Sequence, residues 1–289
     1  MAALREIKDR IGSVRSTLKI TSAMKLVASA KLRKSQRAIE GMRPYERTLN
    51  EILSSVSSLC DVSAVCSNLN VKVSEEDRQD PAVAVVAVSS NSSLCGGFNS
   101  NVIRKTLEAI KSETGKVEVY PIGRKMADAM KKAGFTSSAD YNDLIGHPGY
   151  EKSAQLAHML VDRYNAGEIS KVLLVYNRFV STSTQVPVVE IYLPFGNPEI
   201  EASVDEEEYI IEPDAESLAK ELLPKLLVLK FHAAILDSAA AEQAARTIAM
   251  QTATDNAENL LGELTLEYNK GRQQKITSEI LDLLGGATE

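Results

Sequence analysis

The sequence predicts two long terminal helices that pair as an antiparallel coiled coil, with a Rossmann-like α/β domain inserted between them. At both ends of the 289-residue chain, apolar residues recur alternately every three and four positions, which is typical of paired helices. Between the ends, short apolar segments alternate with amphipathic ones, which predicts an α/β domain. The expected boundaries are 1–57 for the N-terminal helix, 81–198 for the α/β domain, 199–215 for an acidic connection and 216–289 for the C-terminal helix.

The N-terminal helix is predicted from the spacing of Leu4, Ile7, Ile11, Val14 and Leu18, which leaves an apolar seam in need of a partner helix. Pro44, in the interior of this helix, is expected to kink it unless the local backbone geometry accommodates the proline. Residues 10–39 contain no acidic residue, although the whole chain has 39 acids against 33 bases. The basic residues of this stretch are Arg10, Arg15, Lys19, Lys25, Lys31, Arg33, Lys34 and Arg37.

The α/β domain is predicted to begin at Pro81. Residues 82–88 form a continuous apolar run rich in valine, which is typical of a strand covered on both faces. Because strands and helices alternate at short spacing, the sheet is expected to be largely parallel. The other predicted strands are 117–123, 171–181 and 186–194, and the predicted helices are 100–113, 124–134 and 151–167.

The C-terminal helix is predicted from a heptad pattern that runs from Leu222 to Tyr268, over about seven heptads. Such a pattern implies a left-handed supercoil. Alanines are dense between His232 and Glu258, which allows a neighbouring helix to approach closely. The N-terminal helix is the expected partner, and it is expected to run antiparallel.

Composition narrows the class of protein. No apolar run approaches the roughly 18 to 20 residues that a membrane-spanning helix needs, so no direct membrane insertion is expected. The N-terminus lacks the apolar core of a signal peptide, and its early acids argue against a transit peptide, which favours an intracellular location. The three cysteines match neither a disulfide framework nor a zinc pattern.

No cofactor site and no catalytic set emerge from the motifs. The glycine turn at 92–100 lies between a strand and a helix, like a phosphate-binding loop, but the chain has neither GxGxxG nor GxxxxGK[ST]. A structural turn is therefore the favoured interpretation. His147, His158 and His232 are each interpreted as surface or core residues in preference to general bases.

Three partners could match the basic stretch: nucleic acid, a membrane surface, or a protein with acidic loops. The chain has no recognised nucleic-acid module, and its net charge of -6 argues against the first. A membrane-surface helix would carry bulky apolar residues opposite the bases, where this one has Ala, Ser and Thr. A protein partner is favoured, because complementary charge steers contact and sets register.

The C-terminal run from Ile276 to Ala287 resembles the I-T-x-E-x-x-D-x-x-x-G-A signature of the gamma subunits of F-type ATP synthases. Further stretches that are similar to this family are 19–36, 43–45, 94–99, 238–260 and 266–277, so the resemblance covers essentially the full length. One departure is Asn91-Ser92-Ser93, where the family commonly carries D-[KR]-G.

The resemblance implies a non-catalytic rotor subunit. In this family the terminal helices stand as a coiled coil inside a ring of alpha and beta subunits, and the α/β domain lies at the membrane-facing foot. Rotation driven by ion transport forces the beta sites through their conformations, so that ATP synthesis and reverse hydrolysis are coupled to rotation. The implied partners are the alpha and beta subunits of the catalytic hexamer, the epsilon subunit and the membrane c-ring. The implied location is peripheral, at the cytoplasmic face of a bacterial inner membrane.

The resemblance also implies contact residues. Contacts with the beta subunit are expected at Met24, Lys25, Lys31, Arg33, Lys34, Arg37, Arg272, Gln273 and Thr277. An apolar tip that turns in the upper bearing is expected at Leu281, Leu283 and Leu284. Contact with the rotor ring is expected at Tyr209 and Glu212, for which an exposed loop is the alternative. The rival function is a coiled-coil tether that carries a Rossmann-like nucleotide-binding domain.

Overall fold

The structure is a computed structural model that describes residues 2–57, 81–135, 139–146, 148–195, 211–212 and 214–286. Its helices and strands, in chain order, are α1 (Ala2–Ser57), β1 (Ala82–Val88), α2 (Phe98–Ser112), β2 (Val117–Ile122), α3 (Arg124–Lys132), α4 (Asp143–Gly146), α5 (Tyr150–Asn165), β3 (Ile169–Phe179), β4 (Gln185–Leu193) and α6 (Ala215–Gly286). In the described part of the chain, no helix combines the length and the apolar character that crossing a bilayer requires.

The four strands form one mixed sheet in the order β2-β1-β3-β4. β1 is parallel to β2 and to β3, whereas β4 pairs antiparallel with β3. The short connection between β3 and β4 explains the exception, since antiparallel neighbours can be joined by a tight turn and parallel ones need a crossover. The predicted α/β fold with a largely parallel sheet is therefore confirmed, with one antiparallel edge strand.

β1 is buried on both faces, as its continuous apolar run predicts. Ala84, Val86 and Val88 belong to one apolar cluster, which includes residues of α1, α5 and α6. Val83 and Val85, which point to the opposite face, belong to a second cluster with residues of α2 and α3. Helical segments thus cover both sides of the sheet.

The chain divides into two compact units, one of residues 1–29 with 246–289 and the other of residues 30–245. In the first unit, a Cβ added at Gly271 would lie 3.1 Å from Cδ2 of Leu4. The hydroxyls of Thr21 and Thr254 are 3.0 Å apart in the same unit. Residue numbers rise along α1 as they fall along α6, so the helices pair antiparallel.

In the second unit, an apolar cluster joins α1 to α6 through the seam that the sequence predicts. Leu32 and Ile39 of α1 pack with Leu236, Ala240 and Ala244 of α6. Ala240 and Ala244 have no exposed surface, which is what close approach through small side chains requires. The paired terminal helices are therefore present within each unit.

Both terminal helices follow the predicted ones closely. α1 continues through Pro44 to Ser57, and the turns on either side of the proline are packed through buried Ile39, Leu49 and Leu53. α6 begins at Ala215, one residue before the predicted start, and includes Pro224. The short helix α4 was not predicted, since its four residues carry no periodicity. The proposed domain boundaries at 57, 81, 199 and 216 remain predictions.

Candidate partner-binding surfaces

Four of the predicted basic contact residues project from α1 into solvent. Lys31, Arg33, Lys34 and Arg37 are all exposed, whereas Leu32 in their midst is buried. The heptad spacing explains the division, because the seam takes one side of the helix and the bases occupy the remaining positions. This part of α1 therefore offers a basic face to a partner.

Met24 and Lys25 have different surroundings from the other predicted contacts, since both are only partly exposed. Nζ of Lys25 donates a hydrogen bond of 2.9 Å to Oε1 of Gln251 on α6. Nε2 of Gln251 in turn donates to Oδ1 of Asp255 at 2.7 Å. The Lys25 ammonium is thus bonded to the partner helix, which sequence spacing alone did not reveal.

Apolar side chains lie exposed on α1 close to Met24. Ile20 is 57% exposed, Leu26 is 67% exposed and Val27 is 57% exposed. Apolar side chains grouped on a surface are a common mark of a binding site. The vicinity of Met24 therefore combines an apolar surface with a fixed positive charge.

The C-terminal contact residues lie on an exposed part of α6. Arg272, Gln273 and Thr277 are all exposed, but the Thr277 hydroxyl donates to the Gln273 carbonyl at 2.9 Å and so faces its own helix. Since Lys25 bonds to Gln251, about twenty residues of α6 separate the level of Lys25 from Arg272, a distance of roughly 30 Å along the helix. The two predicted groups of beta contacts are thus separate surfaces.

The remaining predicted contacts are only partly described. Leu281 is 62% exposed, and Glu212 is exposed. The side chains of Leu283 and Leu284 lie outside the described part of the chain, as does Tyr209. Their assigned roles remain predictions.

A cavity of about 320 Å³ lies in the unit of residues 30–245, between α1, β3, β4 and α6. No sequence motif indicates it, because its polar lining combines the β3–β4 pair with the two terminal helices, which are far apart in the chain. The charged residues that line it are Arg43, Glu46, Arg178, Glu190, Lys230 and Asp237.

Burial shifts the pKa values of three ionisable side chains that line this cavity. It raises the pKa of Asp237 to about 6 and also raises the pKa of Glu46. Burial lowers the pKa of Lys230, whose ammonium lies 4.7 Å from the ring centre of Phe195. Glu190 is bonded to both neighbours on β3, since it pairs with Arg178 and accepts from the Tyr176 hydroxyl at 3.1 Å. The pKa of Asp237 therefore lies much closer to neutrality than the ordinary value of 3.8.

The glycine turn packs against α6 within the same unit. Cys95 and Phe98 form an apolar cluster with Ala241 and Ala245. Ser90, at the end of β1, bonds through its amide to Oδ1 of Asn99 at 3.1 Å. These contacts agree with the interpretation of the segment as a structural turn.

His232 is a buried residue in the N-terminal part of α6. Its Nδ1 lies 2.9 Å from the Ser153 hydroxyl, with which it shares a hydrogen bond, and burial lowers its pKa. The Ser153 hydroxyl is also 3.1 Å from the Gly149 carbonyl, so the pair joins α6 to the start of α5. A structural role accounts for both side chains. His147 lies outside the described residues.

Comparison with known proteins decides the family. A family model described as ATP synthase matches residues 3–288. The ATP synthase gamma chain of Phocaeicola vulgatus is 48% identical over 294 residues, which covers 99% of each chain. The gamma chain of Bacteroides thetaiotaomicron is 44% identical over 308 residues and covers both chains completely. This chain belongs to the ATP synthase gamma chain family. The resemblance drawn from the C-terminal signature is thereby confirmed.

Chains of known structure have the same fold. A chain of the Euglena gracilis mitochondrial ATP synthase, in an assembly of OSCP, F1 and c-ring, matches with a TM-score of 0.63 at 18% identity, over 99% of this chain and 94% of that chain. A chain from the central stalk and c-ring of the Tetrahymena thermophila enzyme matches with a TM-score of 0.55 at 22% identity, over 81% and 99%. The predicted fold class is confirmed.

Proposed function

We propose that this chain is the central rotor stalk of an F-type ATP synthase and is not itself catalytic. The observation that carries the proposal is its identity of 48% to an ATP synthase gamma chain over the full length of both chains. In this role, ion-driven rotation of a membrane ring turns the stalk and moves the catalytic beta subunits through their conformations. ATP hydrolysis would turn it in reverse.

The helix pair has the properties that a rotating shaft needs. Two helices packed side by side bend and twist less readily than one, and small residues such as Ala240 and Ala244 let them pack closely. The exposed bases of α1 give the shaft one face that differs from the others. A shaft with unlike faces presents a different surface to each of three surrounding beta subunits, which is how rotation would make their sites unequal.

The proposed partners are the alpha and beta subunits, the epsilon subunit and the c-ring, at the cytoplasmic face of a bacterial inner membrane. Acidic loops of the beta subunit would meet the exposed bases of α1, since complementary charges steer association. Arg272 and Gln273 would contact a loop of the beta subunit farther along α6. Tyr209 and Glu212 would lie at the c-ring, and Leu281, Leu283 and Leu284 would turn in the bearing.

Replacement of Met24 by lysine tests the proposal. The new cation beside Lys25 would bind an acidic beta-subunit segment too tightly, so ATP-driven proton pumping should fall relative to ATP hydrolysis while the complex still assembles. Ser16→Lys is the matched control, because it also places lysine beside a base on an exposed part of α1. Equal pumping by both variants and the unchanged chain would contradict the assigned contact.

The rival tether with a nucleotide-binding domain makes an opposite prediction. Titration of the isolated chain with ATP should then show tight binding without any partner. A nucleic-acid binder would instead retain DNA with a steep dependence on salt. Rotor function predicts neither result, and it predicts copurification with alpha and beta subunits.

A further inference from the structure

A layer of polar side chains interrupts the apolar seam between α1 and α6 in the unit of residues 1–29 with 246–289. Thr21 and Thr254 face each other in the seam and are only 8% and 5% exposed. One turn away, Lys25 of α1 bonds to α6. We call these residues the polar layer, which consists of Thr21, Lys25, Gln251, Thr254 and Asp255.

The two threonine hydroxyls are bonded to each other and to their own helices. Their oxygens are 3.0 Å apart. The Thr21 hydroxyl is 3.1 Å from the Leu18 carbonyl, and the Thr254 hydroxyl is 2.8 Å from the Met250 carbonyl. Each hydroxyl has one proton, so Thr21 can donate to the Leu18 carbonyl while Thr254 donates across the seam to the Thr21 oxygen. This arrangement provides a hydrogen bond between the helices.

The bond to Lys25 depends on the orientation of a side-chain amide. Gln251 accepts from the lysine through Oε1, and its Nε2 donates to Asp255. The carboxylate of Asp255 can only accept, so it selects the amide orientation in which the oxygen faces Lys25. Asp255 thereby orients the side-chain amide of Gln251, and Gln251 in turn positions the ammonium of Lys25.

We propose that Gln251 and Asp255 are positioning residues for Lys25, and that the polar layer sets the register of α1 against α6 beside Met24. A slip by one seam position would place Thr21 opposite Met250 or Ala257, whose side chains offer no hydroxyl, and a slip of any length would separate Lys25 from Gln251. Apolar seam positions tolerate such exchanges, whereas a buried polar pair does not. The functional part of this inference, that the layer aims the Met24 surface at a beta subunit, rests on the proposed rotor function.

A disulfide reporter at the far end of the same unit measures the register. Leu4→Cys with Gly271→Cys should form a crosslink, because a Cβ at 271 would lie 3.8 Å from Cγ of Leu4. In the full chain carrying Thr21→Val, Thr254→Val and Gln251→Leu, the yield of this crosslink should fall at least about threefold, the scale of one lost hydrogen bond. Mass spectrometry of the crosslinked peptide identifies the pair despite the native cysteines. An unchanged yield would overturn the proposal.

Thr265→Val is the control for the reporter. Thr265 is an exposed residue of α6 whose hydroxyl donates to the Leu261 carbonyl at 2.6 Å, so the same substitution there removes no bond between the helices. The crosslink yield should then stay unchanged. An equal fall in this control and in the polar-layer variant would assign the effect to helix stability and overturn the register proposal.

Single substitutions in the assembled complex test positioning without risk to the whole seam. Gln251→Leu and Asp255→Ala should both lower ATP-driven pumping per ATP hydrolysed. Gln251→Glu should keep it, because glutamate still offers an acceptor to Lys25. Asp255→Glu should also keep it, because a carboxylate at this position can still only accept from Gln251. Failure of both conservative variants to rescue would overturn the positioning role. The crosslink reports on the chain alone, so a chain that fixes its register but never rotates would refute the rotor function and leave the register inference standing.

Discussion

Replacement of Asp237 by asparagine should stabilise the protein at alkaline pH and do so less at acidic pH. Burial raises the pKa of this carboxyl from 3.8 to about 6, so the ionised form is disfavoured in the folded state. A shift of about two units corresponds to about 3 kcal/mol at 1.36 kcal/mol per unit. Because the side chain keeps some contact with solvent, screening reduces the expected gain at pH 8 to about 1–2 kcal/mol.

The pH dependence follows from the direction of the shift. An acid whose pKa is raised on folding stabilises the folded state fully below its unfolded value of 3.8, and this contribution is lost as the pH rises through about 6. The stability advantage of Asp237→Asn should therefore be largest at pH 8 and fall to about half at pH 5. His232, whose pKa is lowered by burial, titrates in both proteins, so its effect cancels from the difference.

Urea unfolding of the full chain at pH 5 and pH 8 measures this difference. Asp128→Asn, on an exposed position of α3, makes the same change in charge and should alter the free energy of unfolding by no more than about 0.5 kcal/mol at either pH. If Asp237→Asn gave the same change at both pH values, or lowered stability at pH 8, the inferred burial of this carboxylate would be wrong.

Three other substitutions should give distinct results. Gly123→Ala would place a Cβ 2.3 Å from the Ser89 carbonyl oxygen, whereas the Cβ of Gly115→Ala, also at positive φ, would meet nothing within 4 Å. Urea unfolding should therefore show Gly123→Ala to be more destabilising than Gly115→Ala by at least about 1–2 kcal/mol. Equal losses of stability would contradict the close approach at Gly123. Ala257→Pro should cost about 3 kcal/mol or more and prevent recovery of an intact complex by gel filtration; recovery of a coupled complex would show that α6 tolerates a break there. Arg272→Glu should weaken copurification with beta subunits, and unchanged recovery at physiological salt would refute its assigned contact.

The sequence predicts the helices and strands well because the spacing of apolar residues reflects which faces of each element are buried. The seam is recognisable in the C-terminal half of α6, where Met250, Ala257 and Leu264 are buried among exposed or partly exposed neighbours; between residues 226 and 245 the helix is buried on nearly all sides. The run at 82–88 was recognisable because both faces of β1 are covered. The antiparallel direction of the edge strand β4 was not predicted, since amino-acid composition does not determine whether a strand runs parallel or antiparallel to its neighbour. It follows from the short connection that joins it to β3.

The candidate site was predictable only in part. Exposure of Lys31, Arg33 and Arg37 follows from helical spacing, because each lies off the seam. The bond from Lys25 to Gln251 joins residues 226 apart in sequence, and no local pattern encodes such a contact. The charged cavity around Asp237 was missed for the same reason, since its lining residues come together only after the sheet and helices have packed.

Single-molecule observation of this chain assembled with alpha and beta subunits tests the rotor function most directly. With the beta subunits fixed to a surface and a probe attached to the exposed part of the α/β domain, ATP should drive stepwise rotation in one direction. Rotation should stop when ATP is removed. A complex that assembles and hydrolyses ATP while the probe stays still would contradict the proposal that this chain is the shaft.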